Sequence, residues 1–173
     1  GRRLAAAGPD GTVQLMDASG DGRVLTLEGH TQSVSALAFS PRGGLLASGS
    51  RDNTVRLWNA DKGETLQTLK GHKAAVTDVA WSPNGKLLAS AGTDQTVRVW
   101  DPGDETCQVL EGHTGAVRVV AWSPAGNQLL SGGSDQKVIV WDAKSGQAER
   151  TIDVARPVLA LAWYGVTVAR HLT

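Results

Sequence analysis

Three histidines recur in one phrase. "GHTQSVSALAF" (29–39), "GHKAAVTDVAW" (71–81) and "GHTGAVRVVAW" (112–122) each set a histidine behind a glycine and ahead of an apolar stretch. An imidazole so placed has three chemical uses: general base beside a nucleophile and an aspartate, metal ligand, or hydrogen-bonding partner inside a fold. His30 to His72 is 42 residues and His72 to His113 is 41, and Trp58, Trp100 and Trp141 each follow their histidine by 28. Asp52, Asp94 and Asp135 each stand six residues before one of those tryptophans. A hydrolase needs one nucleophile on an accessible turn beside an oxyanion pocket, not three equivalent copies. A metal site would be supported by a second ligand two to five residues after a histidine, and none of the three has one there. Repetition therefore points to a structural histidine. "DASGDGRVLTLE" imitates a calcium loop through Asp17, Ser19, Asp21, Gly22 and Glu28, but that loop needs flanking helices, and both flanks here read as strands. No motif calls for a cofactor.

The elements that must carry these residues share the same period. "SPRG" (40–43), "SPNG" (82–85) and "SPAG" (123–126) are type I turn sequences, and a second turn holds the repeated aspartate. Between turns lie segments of four to eight residues, such as "VSALAF", "LLAS", "TVRLW" and "ETLQTL", rich in Val, Leu, Thr and Trp and without helical period. The first three strands of each repeat are expected to be buried on both faces, and the fourth, with its Glu, Gln and Lys, to form an exposed outer edge. Four antiparallel strands per repeat, stacked on their neighbours, make the blade of an all-β propeller, with about four blade-equivalents in the chain.

The 173 residues suffice for one domain, 1–173, with 40% hydrophobic and 20% charged residues. A net charge of zero argues against nucleic acid or an anionic membrane as the main partner. Cys107 is the single cysteine, which excludes an internal disulfide and suits a reducing, cytoplasmic setting; it reads as an inert thiol on an outer strand. No apolar run reaches the ~20 residues of a membrane-spanning helix. The sequence starts at Gly1 rather than methionine, which is compatible with a piece of a longer protein.

"GH … LLASGSRDNTVRLWN", "GH … LLASAGTDQTVRVWD" and "GH … LLSGGSDQKVIVWD" resemble the WD-repeat (tryptophan–aspartate repeat) β-propeller family. Full repeats fall at 29–59, 71–101 and 112–142, with partial repeats at 1–17 and 153–173. The resemblance implies that each histidine joins a strand serine, the turn aspartate and the tryptophan in a buried hydrogen-bonded set. Position by position these are His30, Ser48, Asp52 and Trp58; His72, Ser90, Asp94 and Trp100; and His113, Ser131, Asp135 and Trp141. In the partial repeats Val154, Ala6 and Met16 replace histidine, serine and tryptophan, and Asp10 alone survives.

The resemblance also implies a non-catalytic platform for protein or peptide ligands, with a channel mouth lined by the residues three and five after each histidine and the one before each turn aspartate. Those are Ser33, Ser35 and Arg51; Ala75, Thr77 and Thr93; and Ala116, Arg118 and Ser134. Two arginines among small polar residues suit an acidic or phosphorylated ligand. The rival readings are a propeller enzyme or small-ligand binder using the channel, which would place acids or histidines at these positions, and a fragment of a larger propeller with no separate activity. "VLALAW" (158–163) is expected to be a first strand that pairs with "GRRLAAAG" (1–8), closing either a four-bladed ring within one chain or an eight-bladed homodimer; "VTVARHLT" (166–173) is a competing second strand.

Overall fold

The computed structural model describes residues 3–18 and 22–163. Within them the chain is all β: β1 (Arg3–Ala7), β2 (Val13–Asp17), β3 (Val24–Leu27), β4 (Val34–Phe39), β5 (Leu45–Ser50), β6 (Thr54–Asn59), β7 (Thr65–Lys70), β8 (Val76–Trp81), β9 (Leu88–Gly92), β10 (Val97–Asp101), β11 (Thr106–Leu110), β12 (Val117–Trp122), β13 (Gln128–Gly133), β14 (Lys137–Asp142) and β15 (Ala148–Asp153). They form one three-stranded sheet, β1-β2-β3, and three four-stranded meanders, β4 to β7, β8 to β11 and β12 to β15. Every pairing is antiparallel, and the architecture is that of β-propeller blades.

Turn chemistry closes each hairpin. Gly43 N, Gly85 N and Gly126 N donate to Ser40 O, Ser82 O and Ser123 O at 2.8–2.9 Å. All three glycines have positive φ, a conformation that costs them nothing. Ser82 and Ser123 are buried at these corners and accept from the main-chain N–H of Leu87 and Gln128 with their hydroxyls.

Burial on both faces holds for the second strand of each four-stranded sheet, since β9 is buried throughout and β5 nearly so. It fails for the third strands β6, β10 and β14, which mix buried with half-exposed positions. It fails also for the innermost strands, since β4 has only half-exposed and exposed positions and β8 and β12 mix these with buried ones. Their polar residues Ser35, Thr77 and Arg118 occupy the open positions, where water or a neighbouring main chain satisfies them. The outer strands β7, β11 and β15 are largely exposed, as edge strands carrying charge should be.

Sheets stack face to face along the chain. Val76 and Val79 of β8 press on Gly49 of β5, a close approach that the missing Cβ permits. Tryptophans at the ends of β8 and β12 bind the sheet before, Trp81 Nε1 donating to Ala38 O (3.1 Å) and Trp122 to Ala80 O (2.9 Å), and Trp163, beyond the last strand, does the same to Ala121 O (3.3 Å). Arg3 of β1 reaches Ala60 O and forms an ion pair with Asp61 at 3.2 Å, tying the first sheet to the second.

Of the two closures expected, pairing of 158–163 with β1 within one chain is not formed among the described residues. Among the described residues β1 pairs only with β2, and residues 158–163 are not a strand. They lie instead on the fourth sheet, with Val158 N donating to Gly133 O and with Val158 and Leu161 packed on Gly132. The competing segment 166–173 lies outside the described residues.

Candidate functional site

Connectivity puts the loops before β4, β8 and β12 at the same end of their sheets as the turns β5–β6, β9–β10 and β13–β14. Each repeated histidine belongs to the first set of loops and each repeated aspartate to the second. His30 Nδ1 lies 2.8 Å from Asp52 Oδ2 and its Nε2 lies 2.7 Å from Ser48 Oγ, to which Trp58 Nε1 donates at 2.8 Å. His72 makes the same contacts with Asp94 (2.9 Å) and Ser90 (2.7 Å), and Trp100 donates to Ser90 at 2.9 Å. His113 repeats them with Asp135 (2.8 Å) and Ser131 (2.7 Å), with Trp141 donating at 2.7 Å.

The proton order follows from the acid. An ionised aspartate only accepts, so Nδ1 carries the hydrogen, Nε2 accepts from the serine hydroxyl, and that hydroxyl oxygen accepts from the indole. Burial alone would raise the Asp52 carboxyl, but donation from Thr54, His30 and the main-chain N–H of Thr31 and Thr54 outweighs it and holds the group down to about 2. Asp94 and Asp135 are lowered in the same way, against the opposing effect of burial. Burial pushes His30 and His72 below their ordinary value despite the neighbouring carboxylates. A serine that is fully buried, with its oxygen shared between indole and imidazole, has no access to a substrate carbonyl.

The aspartates also set the loops. Asp52 Oδ1 accepts from Thr54 N and Oγ1, closing its own turn, while Oδ2 takes Thr31 N from the facing loop. Asp94 does this with Thr96 and Lys73, and Asp135 with Lys137 N and Thr114 N. Alongside each clamp the main chains join: Arg51 N donates to Ser33 O (3.0 Å), Thr93 N to Ala75 O (2.8 Å) and Ser134 N to Ala116 O (2.8 Å). Three pairs of inferred mouth residues, 33 with 51, 75 with 93 and 116 with 134, are thereby neighbours.

The three remaining mouth residues differ among themselves. The one hydroxyl proton of Ser35 is shared between Gly49 O and Val76 O of the next sheet, and that of Thr77 between Ala91 O and Val117 O. These hydroxyls tie adjacent inner strands together, a role the spacing alone does not reveal. Arg118 is exposed, and its Nε donates to Ser134 Oγ at 3.0 Å. Arg51 is exposed as well.

Asp78 escaped the sequence reading. It lies on β8, and its Oδ2 accepts from Val120 N of β12 at 3.0 Å while Oδ1 accepts from Val79 N. Burial raises its carboxyl, against those two N–H donors. Its only signal was an acid inside an otherwise apolar strand. Among the first-sheet residues, Asp10 keeps the turn bonds from Thr12 N and Oγ1 and has lost its histidine. The calcium-like stretch is flanked by strands β2 and β3; Ser19 and Asp21 lie outside the described residues. No group of three or more metal-ligating side chains occurs among the described residues. Cys107 is free and exposed on β11, with burial raising its thiol against the pull of Arg98.

A family model for the "WD domain, G-beta repeat" matches residues 21–59, 63–101 and 104–142. The chain matches none of the curated proteins compared with it.

Proposed function

Because the chain belongs to the WD domain, G-beta repeat family, whose repeats generally mediate protein interactions and whose members are typically non-catalytic, we propose that it is a scaffold that binds a protein or peptide through the clamp-bearing end of its sheets. The observation that carries this reading is the threefold loop pair: each clamp aspartate bonds the facing loop, so the side chains displayed there stand on a rigid base. Preorganised loops lose little conformational entropy on binding.

The ligand is acidic or phosphorylated. Arg51 and Arg118 are exposed at this end among small residues, and guanidinium groups bind carboxylate or phosphate with paired, charge-assisted hydrogen bonds. A second copy of the chain, the other partner expected from the sequence, would use the sheet edges and not this face. A cytoplasmic location accords with an unpaired Cys107.

The test is a panel of acidic and phosphorylated peptides screened against the chain, followed by Arg51→Ala/Arg118→Ala. A hydrogen bond to a charged group contributes about 1.5–3 kcal/mol, so the double change should weaken binding at least ~10-fold. Binders indifferent to the double change overturn the assignment of the ligand to this face.

A further inference from the structure

Three turns at the clamp-bearing end hold a carboxamide residue in a backbone conformation that disfavours side chains. Directly after each clamp aspartate stand Asn53, Gln95 and Gln136, in "DNT", "DQT" and "DQK". Their φ angles are 70°, 69° and 62°, in the left-handed region where a Cβ crowds its own backbone. Asparagine is common in that region and glutamine is not. The first sheet makes the equivalent turn with Gly11 at φ 86°, so the turn itself suits glycine and does not call for an amide. Gln95 and Gln136 are exposed and Asn53 is half-buried. Among the described residues none of the three side chains has a hydrogen-bond partner, so their amides are left to water. Strain retained three times, for a polar group that the fold does not use, is explained by a role outside the fold.

We infer that Asn53, Gln95 and Gln136 form a row that hydrogen-bonds the main chain of an extended peptide at every third residue, while Arg51 and Arg118 hold acidic or phosphorylated side chains at the two ends of the row. The inference rests on the acidic-ligand reading above and adds the ligand's conformation, its spacing and the groups that read it.

The repeat sets the spacing. Stacked sheets lie about 10 Å apart and an extended chain advances about 3.3 Å per residue, so neighbouring turns meet ligand residues about three apart. A carboxamide offers both a donor and an acceptor, the pair that answers the C=O and N–H of one main-chain residue. The row stands on a fixed base, since each amide follows directly on an aspartate bonded to the facing loop.

The arginines mark its ends. Arg51 stands two residues before Asn53 on the first of these turns. Arg118 is tied to the third by its Nε, which donates to Ser134 Oγ at 3.0 Å, and Ser134 stands two residues before Gln136. That bond leaves both terminal nitrogens of the guanidinium for an anion. The middle turn has Thr93 at the place of Arg51. Two sheet intervals, about 20 Å, therefore separate the two guanidinium groups, the span of about six residues of extended chain. The ligand so described carries acidic groups at i and i+6, with its main chain bonded at i, i+3 and i+6.

Peptides bearing two phosphoserines three, six or nine residues apart test the spacing by titration calorimetry. Affinity should be highest at six, and N-methylation of the residue at i+3 should weaken it. Asn53→Gly/Gln95→Gly/Gln136→Gly keeps the turn conformation and removes only the amides. This triple variant should melt no lower than the parent and bind the six-spaced peptide at least ~10-fold more weakly. Equal affinity for the triple variant, affinity indifferent to spacing, or a triple variant that melts well below the parent overturns the inference. In each of those cases weakening by Arg51→Ala/Arg118→Ala would leave the acidic-ligand reading standing by itself. Peptides that do not bind, or that bind the arginine double variant as tightly as the parent, remove that reading and this inference together.

Discussion

Replacing Ser90 by alanine tests the clamp at its centre. The hydroxyl is fully buried and serves two partners, accepting from Trp100 Nε1 at 2.9 Å and meeting His72 Nε2 at 2.7 Å. Alanine fits without strain and leaves almost no void, so packing loss is small. What remains is an indole N–H and an imidazole nitrogen with no partner, each costing about 1–3 kcal/mol, or about 2–6 kcal/mol together. Against a total stability of roughly 5–15 kcal/mol that is a large fraction. At ~2–4 °C per kcal/mol for a chain of this size, the melting temperature should fall by about 5–20 °C. Thermal and urea unfolding read the loss, and a double-mutant cycle with Trp100→Phe isolates its origin. Removing the indole donor should make the second loss smaller than the sum of the singles by about 1 kcal/mol or more. A Ser90→Ala chain that melts within ~1 °C of the parent refutes the hydrogen-bond argument.

Acid should destabilise the fold in two stages. His30 and His72 are held below their ordinary 6.5, so the unfolded chain takes up their protons first and stability declines as pH falls from there. Asp52 adds a second loss as pH falls from 3.8 towards about 2, joined by Asp94 and Asp135, while the raised carboxyl of Asp78 opposes them. Melting temperatures at pH 7, 5.5, 4 and 3 should decrease in that order, and a flat or rising series contradicts the buried neutral imidazoles. In the β9–β10 turn, exposed Gln95 adopts φ 69°, where Gly11 stands in the first sheet. Gln95→Gly should relieve left-handed strain and raise stability by about 0.5–1 kcal/mol in urea unfolding, and a net loss would show that the side chain contributes more than the strain.

What could be read from the residues was whatever the period repeats. His30, His72 and His113, their serines and their tryptophans announce themselves because each set recurs with the same internal spacing, and local turn chemistry at Ser40, Ser82 and Ser123 marks the hairpins. Features formed between repeats were harder to see. Ser35 and Thr77 read as mouth residues, yet their hydroxyls bond the next sheet's main chain, which depends on how closely two sheets approach. Asp78 occurs once, at a position held by Ala36 and Val119 elsewhere, so no repetition exposes its bond to Val120 N. The uniform burial expected of inner strands failed at β4, β8 and β12 because composition does not record which positions of an inner strand the neighbouring sheets leave open.

The tryptophan bonds Trp81 to Ala38, Trp122 to Ala80 and Trp163 to Ala121 join each sheet only to its immediate neighbour. Cooperativity in such a molecule is handed along a line, and the loss of one link is felt first by the two units beside it. The third sheet, stacked on both sides and carrying a full clamp, is the slowest to open, and its β9 amides should exchange hydrogen last. The first sheet, three strands wide among the described residues and without serine or indole at the clamp positions, should open most readily. Unfolding therefore has a direction: it travels inward from β1, and a partner bound across that edge acts as a doorstop on the whole series.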